Sequence, residues 1–160
     1  MKDANVVNKI YNVTKPGFPL IAYNDLSAFK LFLNDVGLLR KKTNLDSKII
    51  IEGNKLFQEF KGALTENYVL QVLLSLNINP YYYTFDNRYE IDFIIQHKNE
   101  IIPIEVKSSD NVNNTSLKIY NQVYNPKIRI RFSTKNLSKD DNLINIPLFL
   151  IEYLDKIINN

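Results

Sequence analysis

Cysteine is absent from the 160 residues. That excludes disulfides, thiolate metal sites and a cysteine nucleophile. It also fits a reducing compartment, so a cytoplasmic location is expected. Glycine is scarce, with four residues, and no Gly-x-x-x-x-Gly-Lys-Ser/Thr stretch occurs, which removes the phosphate cradle of that type for ATP. The single histidine, His97, falls at an expected hairpin turn and has no triad partners in view. No charged-then-apolar leader opens the chain and no apolar run approaches a membrane span, so no membrane partner is expected. Internal repeats are lacking too. The abundance of Asn, Lys and Ile reads as coding bias rather than low complexity.

What is present is an ordinary core-forming composition, 45% apolar, in a length suited to one domain with a small appendage. Net charge is +3, unevenly spread. Between Lys98 and Lys139 eight Lys or Arg face three acids, a bias toward an anionic partner.

The chain is organised around residues 89–107, YEIDFIIQHKNEIIPIEVK. Ile91, Phe93 and Ile95 alternate with Glu90, Asp92, Ile94 and Gln96. Ile102, Ile104 and Val106 alternate with Ile101, Pro103, Glu105 and Lys107. Two strands with distinct faces are expected, joined by a two-residue turn at Lys98 and Asn99. That register sets Asp92 opposite Glu105, with Lys107 projecting from the same face. Like charges opposed on a ladder repel, and a divalent cation would relieve them. A polar, solvated hairpin face is the plain alternative; Ile94, Ile101 and Pro103 argue against it by partly covering that face.

Along the rest of the chain, residues 2–13 read as a short helix carrying Val6, Val7 and Ile10. The Lys15-Pro16-Gly17-Phe18-Pro19 run ends it. Residues 20–23 and 28–33 read as a hairpin around Asn24-Asp25-Leu26-Ser27, with a helix capped by Asn24 or Asp25 as the alternative. A short element over 35–39, a basic turn over 40–42 and a connector over 43–53 follow. A long helix is expected from Asn54, its N-cap, to Leu76. Its core stripe reads as Leu56, Phe57, Phe60, Leu64, Tyr68, Val72 and Leu76. Glu66 lies off that stripe, in line with Gly62, Val69, Leu70 and Leu73; spacing alone makes it a surface acid. Residues 81–85 form an aromatic strand, better read as packed than as a nucleobase platform. A helix over 115–124 and a strand over 127–133 imply parallel pairing. Arg129 and Arg131 are expected to face outward. Residues 138–142 read as a loop, and Pro147 opens a last helix through Ile158.

From residue 54 onward the order is helix, three strands, helix, strand, helix, with acids at Glu66, Asp92 and Glu105 and a base at Lys107. This constellation resembles the PD-(D/E)XK nuclease superfamily and its αβββαβ core, an α/β fold whose central mixed sheet is flanked by helices. A closer likeness covers most of the chain, through FKLFLNDVGLL (29–39), KGALTENYV (61–69), EIDFII (90–95) and IPIEVKS (102–108). These resemble the uncharacterised C-terminal domain that follows the ATPase module of many prokaryotic AAA-type ATPases. The resemblance implies a restriction-endonuclease-like domain over 51–160. It makes 1–50 an appendage of helix plus hairpin, a small winged-helix-like remnant. Without a phosphate loop, the chain reads as a piece of a longer ATPase or a stand-alone relative, and its ATPase partner lies in the same or another chain.

The resemblance also assigns roles. Glu66 becomes the helical acid of the motif. Asp92 and Glu105, hard oxygen donors, suit Mg²⁺ or Mn²⁺, with the Val106 carbonyl completing the protein ligands. Lys107 would orient or help deprotonate the attacking water. DNA is the expected substrate. Lys118, Arg129 and Arg131 are candidates for its backbone phosphates, or members of a solvated face. Two function classes follow: a metal-dependent DNA endonuclease, or a non-catalytic accessory domain that docks nucleic acid or protein to an ATPase.

Overall fold

The computed structural model describes residues 7–34, 55–86, 88–109 and 115–159, with 55–59 as backbone alone. Alternation gives the central hairpin its expected form. Strands β4 (Tyr89–His97) and β5 (Glu100–Val106) pair antiparallel from His97–Glu100 to Phe93–Ile104. The turn between them holds Lys98 at a φ of 53°. Strand β3 (Tyr81–Phe85) joins β4 antiparallel on its other edge.

Parallel neighbours need a long crossover. Here α2 (Thr115–Tyr124) supplies it, bringing β6 (Arg129–Ser133) parallel to β5. Asn125, at a φ of 44°, precedes Pro126 and stops the helix. Strands β7 (Ser138–Asp140) and β8 (Leu143–Pro147) close that side, with β8 parallel to β6. On the other side lie β1 (Val7–Val13) and β2 (Asn24–Leu33). The result is one eight-stranded mixed sheet in the order β2-β1-β3-β4-β5-β6-β8-β7. Among the described residues three α-helices accompany it: α1 (Lys55–Ser75), α2 and α3 (Leu154–Ile158). None of them is long and apolar enough to cross a membrane.

The sheet is covered on two sides. Val69, Leu70 and Leu73 of α1 pack with Phe93, Ile95, Ile104, Ile130 and Ile146. Leu117 and Tyr120 of α2 pack with Tyr83, Phe85, Ile91 and Ile94. Each fully buried Ile or Leu contributes about 1.5–3 kcal/mol, so burial on both sides is what holds the layers together.

Several expectations change. Residues 7–13, expected within a helix, are a strand, because short β-branched runs fit either period and pairing with β2 decides. The hairpin is therefore β1 with β2, and Leu20–Tyr23 is a 3₁₀ turn between them. This hairpin, in the stretch expected to resemble a winged-helix remnant, continues the sheet beside β3, where Asn12 pairs with Tyr82. Residues 138–140 form a strand within the expected loop, and 143–147 form a strand that ends on Pro147, the expected helix start. Asp141, at a φ of 54°, makes their two-residue turn with Asn142. Pro147 ends β8, and a 3₁₀ turn (Leu148–Tyr153) precedes the short α3. The short element at 35–39, the basic turn at 40–42, the connector at 43–53 and the Asn54 cap lie outside the described residues.

Candidate functional site

The site begins with a break in regular pairing. Between β3 and β4 the register shifts: Tyr81 pairs with Ile94 but Tyr83 with Ile91. One extra residue of β4 is therefore accommodated around Asp92 and Phe93, a bulge of the kind that re-aims a side chain. The bulge also reverses the faces. Ile91 packs with α2, whereas Phe93 and Ile95 pack with α1. Uninterrupted alternation would have put all three on one side.

At this level Asp92 does not simply sit across the ladder from Glu105. Its Oδ2 accepts a hydrogen bond from the Val106 backbone N–H at 2.7 Å. Lys107 N–H, one residue on, donates to Phe132 O of β6 at 2.8 Å. Because backbone groups alternate direction along a strand, those of Val106 face β4. The Asp92 carboxylate thus occupies the gap where β4 leaves β5.

Glu105 is 5% exposed, flanked along its strand by the buried Ile104 and Val106. Its Oε1 accepts from Lys107 Nζ at 2.5 Å, while its Oε2 is buried without a hydrogen-bond partner. A buried carboxylate oxygen left unmatched costs free energy unless a proton or cation meets it.

Glu66 arrives from α1. Gly62, one turn earlier, lies where an added Cβ would stand 4.0 Å from Ser108 Oγ, so this part of the helix sits over the exit from β5. Among the described side chains of α1, the buried face is Asn67, Val69, Leu70, Val72 and Leu73. Tyr68, expected in the core stripe, is 38% exposed. The stripe that carries Glu66 is thus the one turned toward the sheet. Asn67 Nδ2 donates to Leu33 O at 2.8 Å and Gln71 Nε2 to the same oxygen at 3.3 Å, tying the helix to the end of β2.

The three acids share one electrostatic neighbourhood. Desolvation, then the Asp92 charge, pushes Glu66 up to about 7. Desolvation, then Glu105, raises Asp92, against the lowering effect of the Val106 hydrogen bond. Desolvation raises Glu105 as well, opposed by Lys107 and reinforced by Glu66 and Glu90. Two further charges belong here that the motif did not supply. Lys30 of β2 forms an ion pair with Glu90 of β4. Lys30 lowers, and Glu90 raises, the Glu66 value. The available signal was periodicity: Lys30 shares a strand face with the core residue Phe32, and Glu90 lies two residues before Asp92.

The expected phosphate contacts are placed differently from one another. Arg129 is buried rather than outward, held against Asn142 of the β7–β8 turn. Its Nε donates to Asn142 Oδ1 at 2.8 Å, and Arg131 Nε donates to Asn145 Oδ1 at 2.7 Å. Lys118 is exposed on α2.

Could these residues hold a metal? Among the described residues no group of three or more His, Cys, Asp or Glu side chains is arranged to do so. The expected set is smaller: two carboxylates and one backbone carbonyl. Its donors are all hard oxygens, and the unpaired Glu105 Oε2 is an oxygen in want of a positive charge. On that chemistry Mg²⁺ or Mn²⁺ fits Asp92, Glu105 and Val106.

No curated protein and no solved structure matches the chain. Residues 61–151, more than half of it and including Glu66, Asp92, Glu105 and Lys107, match a family model described as Domain of unknown function (DUF4143). The chain belongs to that family.

Proposed function

We propose that the chain is a divalent-cation-dependent DNA phosphodiesterase domain of PD-(D/E)XK type, working alongside an AAA-type ATPase. The observation that carries this reading is the Glu105 carboxylate, buried beside Asp92 with one oxygen unmatched. A site built only for stability would be expected to satisfy that oxygen. Asp92 and Glu105, with the Val106 carbonyl, hold Mg²⁺ or Mn²⁺, which supplies charge neutralisation at the phosphate and a water of lowered pKa. Lys107 stabilises charge that builds on the phosphate and keeps Glu105 oriented. Glu66, drawn toward a pKa near neutrality, holds a water and takes up a proton. The association with an ATPase rests on the likeness of residues 29–39, 61–69, 90–95 and 102–108 to the domain that follows such modules.

The experiment is cleavage of supercoiled and branched DNA by the purified chain in Mg²⁺ or Mn²⁺, against Glu105→Gln. Cleavage by the wild type that Glu105→Gln abolishes supports the reading. If the wild type cuts no DNA form with either metal, with or without its ATPase, the enzymatic reading is wrong.

A second reading has its own observation. Asp92 receives a backbone N–H and Lys107 neutralises Glu105, so both side chains have structural partners without any chemistry. A non-catalytic accessory domain that docks nucleic acid or protein to the ATPase would retain them for that reason. Metal-independent stability together with DNA or ATPase binding would favour it.

A further inference from the structure

Lys30 is an odd residue for its position. On β2 it shares a face with Phe32, which is buried, and it pairs across the ladder with Ile10, also buried. A lysine on an inward strand face needs partners for its stem and its head. The stem runs past Tyr82, with Nζ 5.0 Å from the ring centroid, and the head meets Glu90. The side chain is about one-quarter exposed, and its Glu90 partner more so. An ion pair at that exposure is weak and exchangeable.

The same Lys30 lines a groove of about 340 Å³ between β2 and α1, together with Leu31, Phe32, Leu33, Ala63, Glu66 and Asn67. One groove therefore carries a cation on the β2 side and an acid of the site on the α1 side. Ala63 keeps its α1 wall low beside Glu66. Its β2 wall, within Asn24–Leu33, lies outside the family-matched span of 61–151.

Resting on the phosphodiester reading of the acid site, we propose that this groove receives the nucleic-acid strand next to the scissile phosphate, with Lys30 as its phosphate anchor. In this arrangement Glu90 is the resident anion, and an incoming phosphate oxygen displaces it from Lys30. Phosphate is the favoured ligand class because the charge offered on β2 is a single flexible ammonium, suited to a point contact that carries no sequence information. The β1–β2 hairpin is then a working part of the site, setting where the strand lies.

The test measures binding of fluorescein-labelled single-stranded and duplex DNA oligomers to the whole chain in Ca²⁺, across a salt series. It compares wild type, Lys30→Met, Lys30→Arg and Glu90→Gln. Lys30→Met keeps the stem over Tyr82; it should weaken binding roughly tenfold and lower the log K–log salt slope by about one. Lys30→Arg should retain the wild-type slope, and Glu90→Gln, which frees Lys30, should tighten binding. A purely structural Lys30 would leave the slope where it is. Unchanged affinity and slope in Lys30→Met overturn the proposal, as does a wild type that binds neither oligomer. Should Lys30→Met not fold, Glu90→Gln decides alone: no tightening overturns the proposal. Cleavage is read separately in Mn²⁺. A wild type that binds through Lys30 but does not cut retains the groove and removes the hydrolytic reading. Cleavage at subsaturating DNA that is as fast in Lys30→Met as in the wild type retains the hydrolytic reading and removes the groove.

Discussion

The Asp92 carboxylate takes the Val106 backbone N–H at 2.7 Å, in place of a further β4–β5 backbone pair beyond Phe93–Ile104. The acid therefore has two jobs of opposite energetic sign. It satisfies a buried donor, and it sets a negative charge next to Glu105. Replacements can separate them. Asp92→Asn keeps an acceptor for Val106 and removes the charge, so without metal at pH 8 it should be at least as stable as wild type. Asp92→Ala also loses the acceptor and should fall below Asp92→Asn by about 1–3 kcal/mol in urea unfolding. Equal stability of the two variants would mean that the hydrogen bond contributes nothing.

Protonation should stabilise the metal-free protein. Glu66 rises from an ordinary 4.5 to about 7, and Asp92 and Glu105 are raised with it. For a raised carboxylate the folded state holds its proton more tightly than the unfolded state does. The resulting stabilisation is complete below about 4.5 and is lost as pH climbs through about 7. In EDTA the melting temperature should fall between pH 5 and pH 8, and Glu66→Gln should flatten that fall. A melting temperature that climbs over this interval contradicts the arrangement.

Divalent cations should act in the opposite sense. At pH 8, Mn²⁺ at about a hundred times its dissociation constant should add about 2.7 kcal/mol to wild-type stability by linkage. The gain should shrink at pH 5, where the acids carry protons, and vanish in Glu105→Gln. A gain that is the same at both pH values would point to binding elsewhere.

Lys107 is partly exposed, yet its Nζ lies 2.5 Å from the buried Glu105. Lys107→Ala should cost about 3 kcal/mol without metal, since it leaves a buried charge unpaired. In a Glu105→Gln background the same change should cost far less, and the double-mutant cycle measures the difference. On the enzymatic reading, Lys107→Ala should also slow DNA cleavage about a hundredfold or more in Mn²⁺ while oligomer binding changes slightly. Additive stability effects would deny the pair its coupling.

Asn145 provides a structural control away from the acids. It is 1% exposed, and its Oδ1 accepts from Arg131 Nε at 2.7 Å and Ser133 Oγ at 2.8 Å. Its Nδ2 donates to Asn136 O at 2.8 Å and, more weakly, to Lys135 O at 3.3 Å. Asn145→Ala should cost about 1–3 kcal/mol, because the buried Ser133 hydroxyl loses its acceptor and the partly buried Arg131 loses one of its own. The Mn²⁺-dependent gain should persist in the folded fraction.

What local chemistry decides was readable in the chain itself. The β4–β5 register follows from alternation and a two-residue turn, and α1 and α2 follow from apolar spacing and their breakers. Asp92, Glu105 and Lys107 stood out because charges recur where a half-covered sheet would not choose them, whereas Glu66 was singled out only by the family resemblance. Tertiary structure decided the rest. Val7–Val13 is a strand because β2 pairs with it, and no short window contains that partner. The bulge at Asp92 and Phe93 is invisible to periodicity, yet it turns Ile91 to one helix and Phe93 to the other. Glu66 sits over an apolar stripe that sequence treats as secondary; which stripe is buried depends on where the sheet lies. Arg129 reads as outward until Asn142, in the distant β7–β8 turn, meets it. Lys30 and Glu90, sixty residues apart, meet only because β1 threads its hairpin onto the edge beside β3. Contacts between distant residues are set by packing of whole elements, and no local pattern carries that information.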